Sequence, residues 1–305
     1  MSILVAGSVF VDIKGHPKGG YIPGGRNAGR VDQVHGGVAR NIAEDVAAVG
    51  GEAVFLGLVE DDALGREVTA HLMEIGVDVG HVRFVKDGMG IWLAVFDDRG
   101  DVAASVSKRP DLRPLLTILE EEGDAVFREA EIVLFELDLE EETVEKICSL
   151  SEKHHVPACA AVSNMSIAAG RREYLPRLRC LVCNEQELGI LVPGPWDTES
   201  EEALAAAMPS LAAELGLPCL VATLGKRGAV WAEGDESGFC PAEPVEPVDT
   251  AGAGDSFFAG VGLGLSQGKS LAEACRIGSR MAAKVITTTQ SVCPPMTSEE
   301  LGLQY

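Results

Sequence analysis

Segments typical of buried strands alternate with segments typical of helices along most of this sequence, and this order restricts the fold more than any other feature. Residues 53–59, 132–135 and 219–223 are short apolar runs bounded by polar or turn residues. Residues 140–150 and 200–215 have the composition and spacing of helices. The alternation predicts a three-layer α/β/α fold, in which helices cover both faces of a mainly parallel sheet. The 305 residues suffice for one large domain or two smaller ones.

Two segments interrupt the alternation and predict a small second sheet. Residues 15–35 are rich in Gly, Pro and Arg, which indicates an excursion that leaves the main sheet and returns to it. Residues 91–96 and 102–106 are apolar or alternating on either side of Asp97-Asp98-Arg99-Gly100, which is typical of a β-hairpin. We expect these parts, about 13–34 and 90–109, to form a β-sheet lid over a ligand site.

A glycine-rich loop that ends in an acid carries the strongest indication of chemistry. Residues 249–256 read DTAGAGDS, and a small, apolar segment follows that is typical of a buried helix. Glycines let the backbone approach a ligand closely, and the N-terminus of a helix attracts phosphate oxygens. Asp255 would repel a phosphate unless it meets another group, such as a hydroxyl that loses its proton. Phosphoryl transfer to an alcohol needs this combination, whereas the simpler alternative is a loop with an Asp N-cap.

A second glycine motif predicts another helix N-terminus that faces a ligand. Apolar residues recur at helical spacing from Val38, so a helix should begin near Gly37. Asn41 lies one turn into that helix and offers both a donor and an acceptor. Asp12 follows the first apolar run, and we expect it at the C-terminal end of a strand, where open α/β sheets collect ligands. A turn acid is the alternative interpretation of Asp12.

Two further motifs follow later strands of the predicted sheet. Asn184 and Glu187 open a helix after residues 180–183, and a helix-capping pair is the simpler interpretation of these two residues alone. The segment Thr223-Leu224-Gly225-Lys226-Arg227-Gly228 forms a turn into another strand.

Taken together and in this order, the four motifs resemble the PfkB or ribokinase-like family of ATP-dependent sugar and nucleoside kinases. The resemblance covers nearly the whole length and implies a single ribokinase-like domain over residues 1–305. It implies that Asp255 is the general base for the substrate hydroxyl. It also implies that Gly252, Ala253 and Gly254 offer backbone N–H groups to the phosphoryl that moves.

The resemblance assigns expected roles to the other motif residues as well. Glu187 matches the position that organises Mg²⁺, usually through water, and a single acid is reasonable because magnesium keeps several waters. The ATP site would be formed by Asn184, Thr223, Gly225, Gly228, Gly252 and Gly254. The acceptor would be held by Asp12, Gly36, Gly37, Asn41 and Asp255. A K⁺ site stays open, because residues 287–294 lack the Gly-Ala step that many sugar kinases have there.

The acceptor is less well indicated than the reaction. Residues 11–15, 36–44 and 287–294 look most like pseudouridine kinases, which suggests that pseudouridine becomes pseudouridine 5′-phosphate. Ala160-Ala161 and the lid segment 105–109 depart from that subfamily. A sugar kinase for ribose or fructose is therefore the alternative. A protein of another class, which binds a metabolite on a kinase fold without turnover, is disfavoured by the retained Asp255.

Composition and charge limit the partners of the chain. The net charge of −22 argues against a nucleic acid polymer or an anionic membrane as partner. The eight cysteines lie from Cys148 onward without the spacing of a disulfide scaffold, and no signal peptide is expected, so a reducing cytoplasm is the simplest location. We also expect a homodimer joined through the lid, because a small isolated sheet exposes edges and an apolar face.

Overall fold

A computed structural model describes residues 2–98, 102–194, 196 and 200–304. The strands in this part of the chain are β1 (Ser2–Gly7), β2 (Phe10–Pro17), β3 (Gly29–Gly36), β4 (Ala53–Glu60), β5 (Asp78–Val85), β6 (Gly90–Phe96), β7 (Val102–Lys108), β8 (Ala130–Glu136), β9 (Ala158–Ala161), β10 (Cys180–Asn184), β11 (Cys219–Thr223), β12 (Gly228–Glu233) and β13 (Glu236–Pro241). The α-helices are α1 (Val38–Ala48), α2 (Ala63–Glu74), α3 (Pro114–Glu121), α4 (Gly123–Glu129), α5 (Glu141–His154), α6 (Met165–Ala168), α7 (Glu185–Leu191), α8 (Glu201–Leu215), α9 (Ala253–Ser266), α10 (Leu271–Ile286) and α11 (Ser298–Leu301). Short 3₁₀ segments lie at Ala169–Arg177 and Gly225–Arg227.

The larger sheet has nine strands in the order β13-β12-β11-β10-β9-β8-β1-β4-β5. The strands from β11 to β5 pair in parallel, whereas β12 and β13 join the edge as an antiparallel hairpin. Helical crossovers connect the parallel strands, since parallel neighbours cannot be joined by a tight turn. The prediction of a mainly parallel α/β/α sheet is confirmed.

Two hydrophobic cores lie on opposite faces of this sheet. On β1, Leu4 and Ala6 belong to the core that α3, α4, α5, α7 and α8 cover. Ile3 and Val5 belong to the core under α1, α2, α9, α10 and α11. Strands buried on both faces read as continuous apolar runs, which explains the sequence signal at this strand. The two helices that carry the candidate site, α1 and α9, therefore pack on the same face.

The lid is a four-stranded sheet in the order β3-β2-β6-β7. β2 pairs with β3 antiparallel and with β6 in parallel, and β6 and β7 form the predicted hairpin. Its first two strands extend from residue 10 to residue 36, slightly beyond the expected segment 13–34. The turn residues Arg99 and Gly100 lie outside the described residues.

The position expected for Asp12 was wrong. β1 ends at Gly7, and Asp12 is the third residue of the lid strand β2, opposite Val34 and Trp92. Only Ser8 and Val9 separate β1 from β2, and both are buried like the strand before them, so periodicity could not separate a central strand from the lid strand that follows it. Asp12 therefore approaches the site from the lid and not from the end of a central strand.

Candidate active site

The glycine-rich loop leads into α9 with a backbone that only glycine adopts easily. Gly252 is the N-cap of α9 in the left-handed region at φ +77°, and α9 begins at Ala253. A Cβ built at Gly252 would lie 1.9 Å from the carbonyl oxygen of Ser291. Upstream, the Asp249 carboxylate accepts a hydrogen bond of 2.9 Å from the backbone N–H of Ala251. The Ala253 N–H donates to the Thr250 carbonyl oxygen (3.4 Å), but no described side chain caps α9, and the N–H groups of Gly252 and Gly254 donate to no described carbonyl, so these two are available to an anion.

Asp255 lies in the first turn of α9 and faces a cavity between the lid and the main sheet. One carboxylate oxygen, Oδ2, accepts a 2.6 Å hydrogen bond from the Asn41 amide nitrogen. Burial raises the pKa of Asp255 to about 6, while this hydrogen bond and the positive charge of Arg40 oppose the shift. A carboxylate with a pKa near 6 can be ionised at neutral pH and still accept a proton.

The cavity has a volume of about 650 Å³, which is a usual size for a small-molecule site. It brings together five residues that the sequence singles out: Asp12, Gly37, Asn41, Gly252 and Asp255. The lid contributes Phe10, Asp12, Ser107 and Arg109 to its walls. Asn41 and Asp255 are 214 residues apart in the sequence, yet both line this cavity.

A side chain is excluded at each of the two glycines before α1, but by different neighbours. Gly37 has φ +99°, and a Cβ there would lie 2.6 Å from the carbonyl oxygen of Ser8. Gly36 faces Asp12, because a Cβ at Gly36 would lie 2.9 Å from the Asp12 Oδ2 atom. Burial raises the pKa of Asp12, against the lowering effects of Lys14 and Arg40. The close approach of the lid strand to α1 therefore depends on both glycines.

The sequence interpretation missed two acids that line the cavity, Glu136 and Asp138. The Glu136 carboxylate accepts hydrogen bonds from the backbone N–H of Ser8 (2.6 Å), the Ser8 hydroxyl (2.8 Å) and the backbone N–H of Ala39 (3.2 Å). Burial and then the negative charge of Asp138 raise the pKa of Glu136 to about 7. Asp138 accepts a 2.5 Å hydrogen bond from the hydroxyl of Ser163. Their position just at and after the end of β8 was the available signal, because open sheets collect ligands there.

The residues expected at the ATP and magnesium sites divide into two groups. Gly252 and Gly254 lie at the start of α9, where Gly252 lines the cavity. The others lie at or just after the ends of β10 and β11, outside the cavity lining: Asn184, Glu187, Thr223, Gly225 and Gly228. Asn184 and Thr223 are direct neighbours across these strands. Asn184 and Glu187 form a capping box, in which the Asn184 side chain accepts from the Glu187 N–H (2.9 Å) and the Glu187 carboxylate accepts from the Asn184 N–H (2.7 Å). Gly225 has φ +59° with open space around it, whereas a Cβ at Gly228 would lie 2.1 Å from the Cys240 carbonyl oxygen.

Comparison with known proteins agrees with this geometry. The family model described as pfkB family carbohydrate kinase matches residues 2–297. The chain belongs to the PfkB family. It is 34% identical to the guanosine-inosine kinase of Exiguobacterium acetylicum over 296 residues, which is 96% of this chain and 97% of that relative. It is 22% identical to the pseudouridine kinase of Escherichia coli over 303 residues, 97% of this chain and 93% of that kinase.

The fold of this chain is also similar to that of a solved ribokinase structure. The structure of Arabidopsis thaliana ribokinase with ribose and ATP superposes with a TM-score of 0.82 at 23% identity, and the match covers 98% of this chain and 96% of that one. As a PfkB kinase, the protein is an ATP-dependent kinase of the sugar and nucleoside class. None of the helices in the described part of the chain combines the length and the apolar composition of a membrane-spanning segment.

Proposed function

We propose that the protein transfers the γ-phosphoryl of ATP to the 5′-hydroxyl of a nucleoside. The observation that carries this proposal is the position of Asp255, which belongs to the first turn of α9 and also lines the cavity of about 650 Å³. A hydroxyl bound in the cavity can therefore meet a carboxylate and a phosphoryl group held by the same turn of helix. Phosphoryl transfer depends mainly on such positioning.

In the proposed reaction, Asp255 accepts the hydroxyl proton as the oxygen attacks the γ-phosphorus. The bond between the γ-phosphorus and the oxygen that bridges it to the β-phosphate breaks, and ADP leaves. Its Oδ2 is engaged by Asn41, and no described residue donates to Oδ1, so this second oxygen is available to the acceptor. The N–H groups of Gly252, Ala253 and Gly254 lie at the positive end of α9 and would stabilise negative charge on the phosphoryl oxygens. Asp12, Gly36, Gly37 and Asn41 would hold the acceptor, with Asp12 contributed by the lid.

The residues at the ends of β10 and β11 fit an ATP–magnesium complex. Gly225 leaves open space beside Thr223, and the Glu187 carboxylate uses Oε2 in the capping box while Oε1 accepts no hydrogen bond from a described residue. Burial is the main cause that raises the pKa of Glu187, and the negative charge of Asp138 adds to the rise. A cation between these two acids would reduce their repulsion and favour the ionised carboxylate. Bound magnesium would neutralise phosphate charge, and Glu187 would orient its water ligands. Asn184, Thr223, Gly225 and Gly228 would line the nucleotide.

Guanosine and inosine come first among the acceptors, because the relative that is 34% identical over 296 residues is a guanosine-inosine kinase. Pseudouridine comes next, on the motifs described above and the weaker similarity of 22%. The cavity suits these molecules chemically: Asp138 and Asp12 offer carboxylate oxygens that can accept from ribose hydroxyls and ring N–H groups. Ribose and fructose are the alternative sugar acceptors.

A screen of ADP release with ATP, Mg²⁺ and each of guanosine, inosine, pseudouridine, ribose and fructose tests the proposal. We expect the highest kcat/KM with a purine nucleoside, and ³¹P NMR of the product should show a 5′-monophosphate. Asp255→Asn should lower kcat by about 10³-fold or more while ATP still binds. ADP release with sugars alone would refute the nucleoside assignment. ATP and nucleoside binding without turnover would support the metabolite-binding alternative.

We also propose that the lid joins two copies of the chain. Val31, Leu93 and Val106 lie on the lid face opposite to Asp12, and they are 71%, 42% and 70% exposed. Contiguous exposed apolar residues on a sheet with open edges favour association. Light scattering should give a dimer mass at micromolar protein, and Val106→Lys should shift it to a monomer. A monomeric wild type would refute this interface.

The sequence leaves a K⁺ site open, and comparison of kcat in KCl and NaCl buffers would decide whether K⁺ activates the enzyme.

A further inference from the structure

A buried arginine on α1 lies directly behind Asn41 and Asp255. Arg40 is 2% exposed, and its guanidinium donates to two backbone carbonyls, those of His35 (2.5 Å) and Gly36 (3.3 Å). Its Nη1 also donates to the Glu44 carboxylate, and its Nη2 to the Oδ1 atom of Asn41. These contacts use four donor directions of a rigid, planar group, so the position of the guanidinium is fixed.

The contact to Asn41 determines which way its amide group points. A guanidinium carries donors only, so the Asn41 atom beside it must be the oxygen. The NH₂ group of Asn41 then faces Asp255 and donates the 2.6 Å hydrogen bond to Oδ2. Without Arg40, the amide could turn its oxygen toward the carboxylate, and the two acceptors would repel each other.

We propose that Arg40 is a positioning residue for phosphoryl transfer, which acts by holding the Asn41 amide with its NH₂ group toward the base Asp255. The inference rests on the proposed role of Asp255 as base. Arg40 itself lines no part of the cavity, so it acts through Asn41 and through its charge. Its positive charge also opposes the rise in the pKa of Asp255 that burial causes.

The positive charge of Arg40 counteracts acids near Asp255 that would otherwise raise its pKa further. Asp12 approaches from the lid strand β2 and raises the pKa of Asp255. The charge of Asp255 in turn raises the pKa of Asp45 on α1, although complete burial of Asp45 is the larger cause of that rise. Lys14 acts on Asp12 from β2, but Arg40 is the cation that lowers the pKa of Asp255. Removal of Arg40 should therefore raise the pKa of Asp255 further above 6.

Glu44 makes a simple substitution of Arg40 difficult to interpret. Glu44 accepts from Arg40 and lies 3.0 Å from the Nε2 atom of His71, and its side chain is 12% exposed. Arg40→Met alone would leave a nearly buried carboxylate without its cation, which destabilises proteins strongly. The double variant Arg40→Met/Glu44→Gln removes both charges together. Arg40→Lys keeps the charge but loses the forked geometry. Arg66→Met on α2 is the control, since the Arg66 side chain is 62% exposed.

The experiment measures kcat against pH, thermal unfolding, and the ¹³C carboxyl titration of Asp255, assigned with Asp255→Asn. We expect the double variant to raise the Asp255 midpoint by about one pH unit and to lower kcat at pH 7 by at least tenfold. Arg40→Lys should leave the midpoint within about half a unit yet still lower kcat, because a single ammonium cannot hold the amide. Arg66→Met should match the wild type.

The result that overturns the proposal is a folded double variant with an unchanged Asp255 midpoint and a kcat within twofold of the wild type. If the double variant does not unfold cooperatively, Arg40→Lys decides the question alone, and a wild-type kcat would refute the positioning role. The carboxyl titration needs no turnover. A wild type that is inactive with every acceptor would therefore refute the proposed function. A raised Asp255 midpoint in the double variant would still support the contact from Arg40 through Asn41 to Asp255.

Discussion

Gly252→Ala is the most direct test of the loop geometry at the start of α9. Gly252 has φ +77°, and the added Cβ would lie 1.9 Å from the carbonyl oxygen and 2.8 Å from the Cα atom of Ser291. Both obstructing atoms belong to the backbone, so no change of rotamer can relieve the contact. The loop that contains Gly252 and the segment around Ser291 must therefore move apart.

The size of the effect follows from these distances. An ordinary contact of 3.4 Å requires the loop and Ser291 to separate by about 1.5 Å at this point. The left-handed backbone of a residue with a Cβ costs roughly 1–2 kcal/mol in addition. Displacement of a reacting group by about 1 Å can reduce a rate by about 100-fold. We therefore expect a loss of stability of more than about 2 kcal/mol and a kcat at least about 100-fold lower.

The other end of the same helix provides a matched control. Gly268 follows α9 with φ +69°, but a Cβ there meets no atom within 4 Å. Gly268→Ala should therefore cost only the roughly 1–2 kcal/mol of backbone strain and leave kcat unchanged. Urea unfolding and ADP release measured on both variants separate strain from steric displacement. Equal stability losses for the two variants, with kcat of Gly252→Ala within threefold of wild type, would refute the reasoning.

Two further predictions concern the raised pKa values of the buried acids. The kcat of the wild type should fall by about tenfold per pH unit below pH 6, because Asp255, with a pKa of about 6, becomes protonated there. A kcat that stays constant down to pH 5 would exclude Asp255 as the base. The pKa of Glu136 is raised from 4.5 to about 7, so its stabilising contribution is complete below pH 4.5 and is lost as the pH rises through 7. Relative to the wild type, Glu136→Gln should therefore gain up to about 3 kcal/mol in unfolding free energy between pH 4.5 and pH 8. Urea unfolding at both pH values measures this difference, and a constant difference would contradict it.

The parts of the site that local sequence could predict are those built from neighbouring residues. The start of α1 beside Gly37 and the start of α9 beside Gly252 were visible, because helical periodicity and glycine placement are properties of short segments. The same holds for Asn184 and Glu187, whose capping box spans only four residues. The role of Glu187 toward magnesium is not local in this sense and stays a prediction.

The parts that were missed depend on contacts between distant segments. Glu136 is placed beside Ser8, 128 residues earlier, only because β8 pairs with β1 in the sheet. Asp12 was assigned to the wrong strand because an apolar run gives no sign of where the chain leaves one sheet for another. The edge strand β13 (Glu236–Pro241) is mostly exposed or half-buried, so it has no apolar run that could mark it. In each case the missing information is which segments become neighbours.

Long-range contacts of buried acids also explain why Asn41 and Asp255 meet at hydrogen-bond distance. α1 has no side-chain cap of its own, and the Glu136 carboxylate from β8 accepts from its Ala39 N–H at 3.2 Å. At the other side of α1, the fully buried Asp45 accepts from the Ser256 hydroxyl of α9 (2.6 Å) and from the Cys293 N–H (2.5 Å). α1 is thus fixed between the sheet and α9 at two points on either side of Asn41. Because burial of these acids is unfavourable unless they are hydrogen-bonded, each contact also restricts the position of α1, and the acceptor site and the base are held in one rigid arrangement.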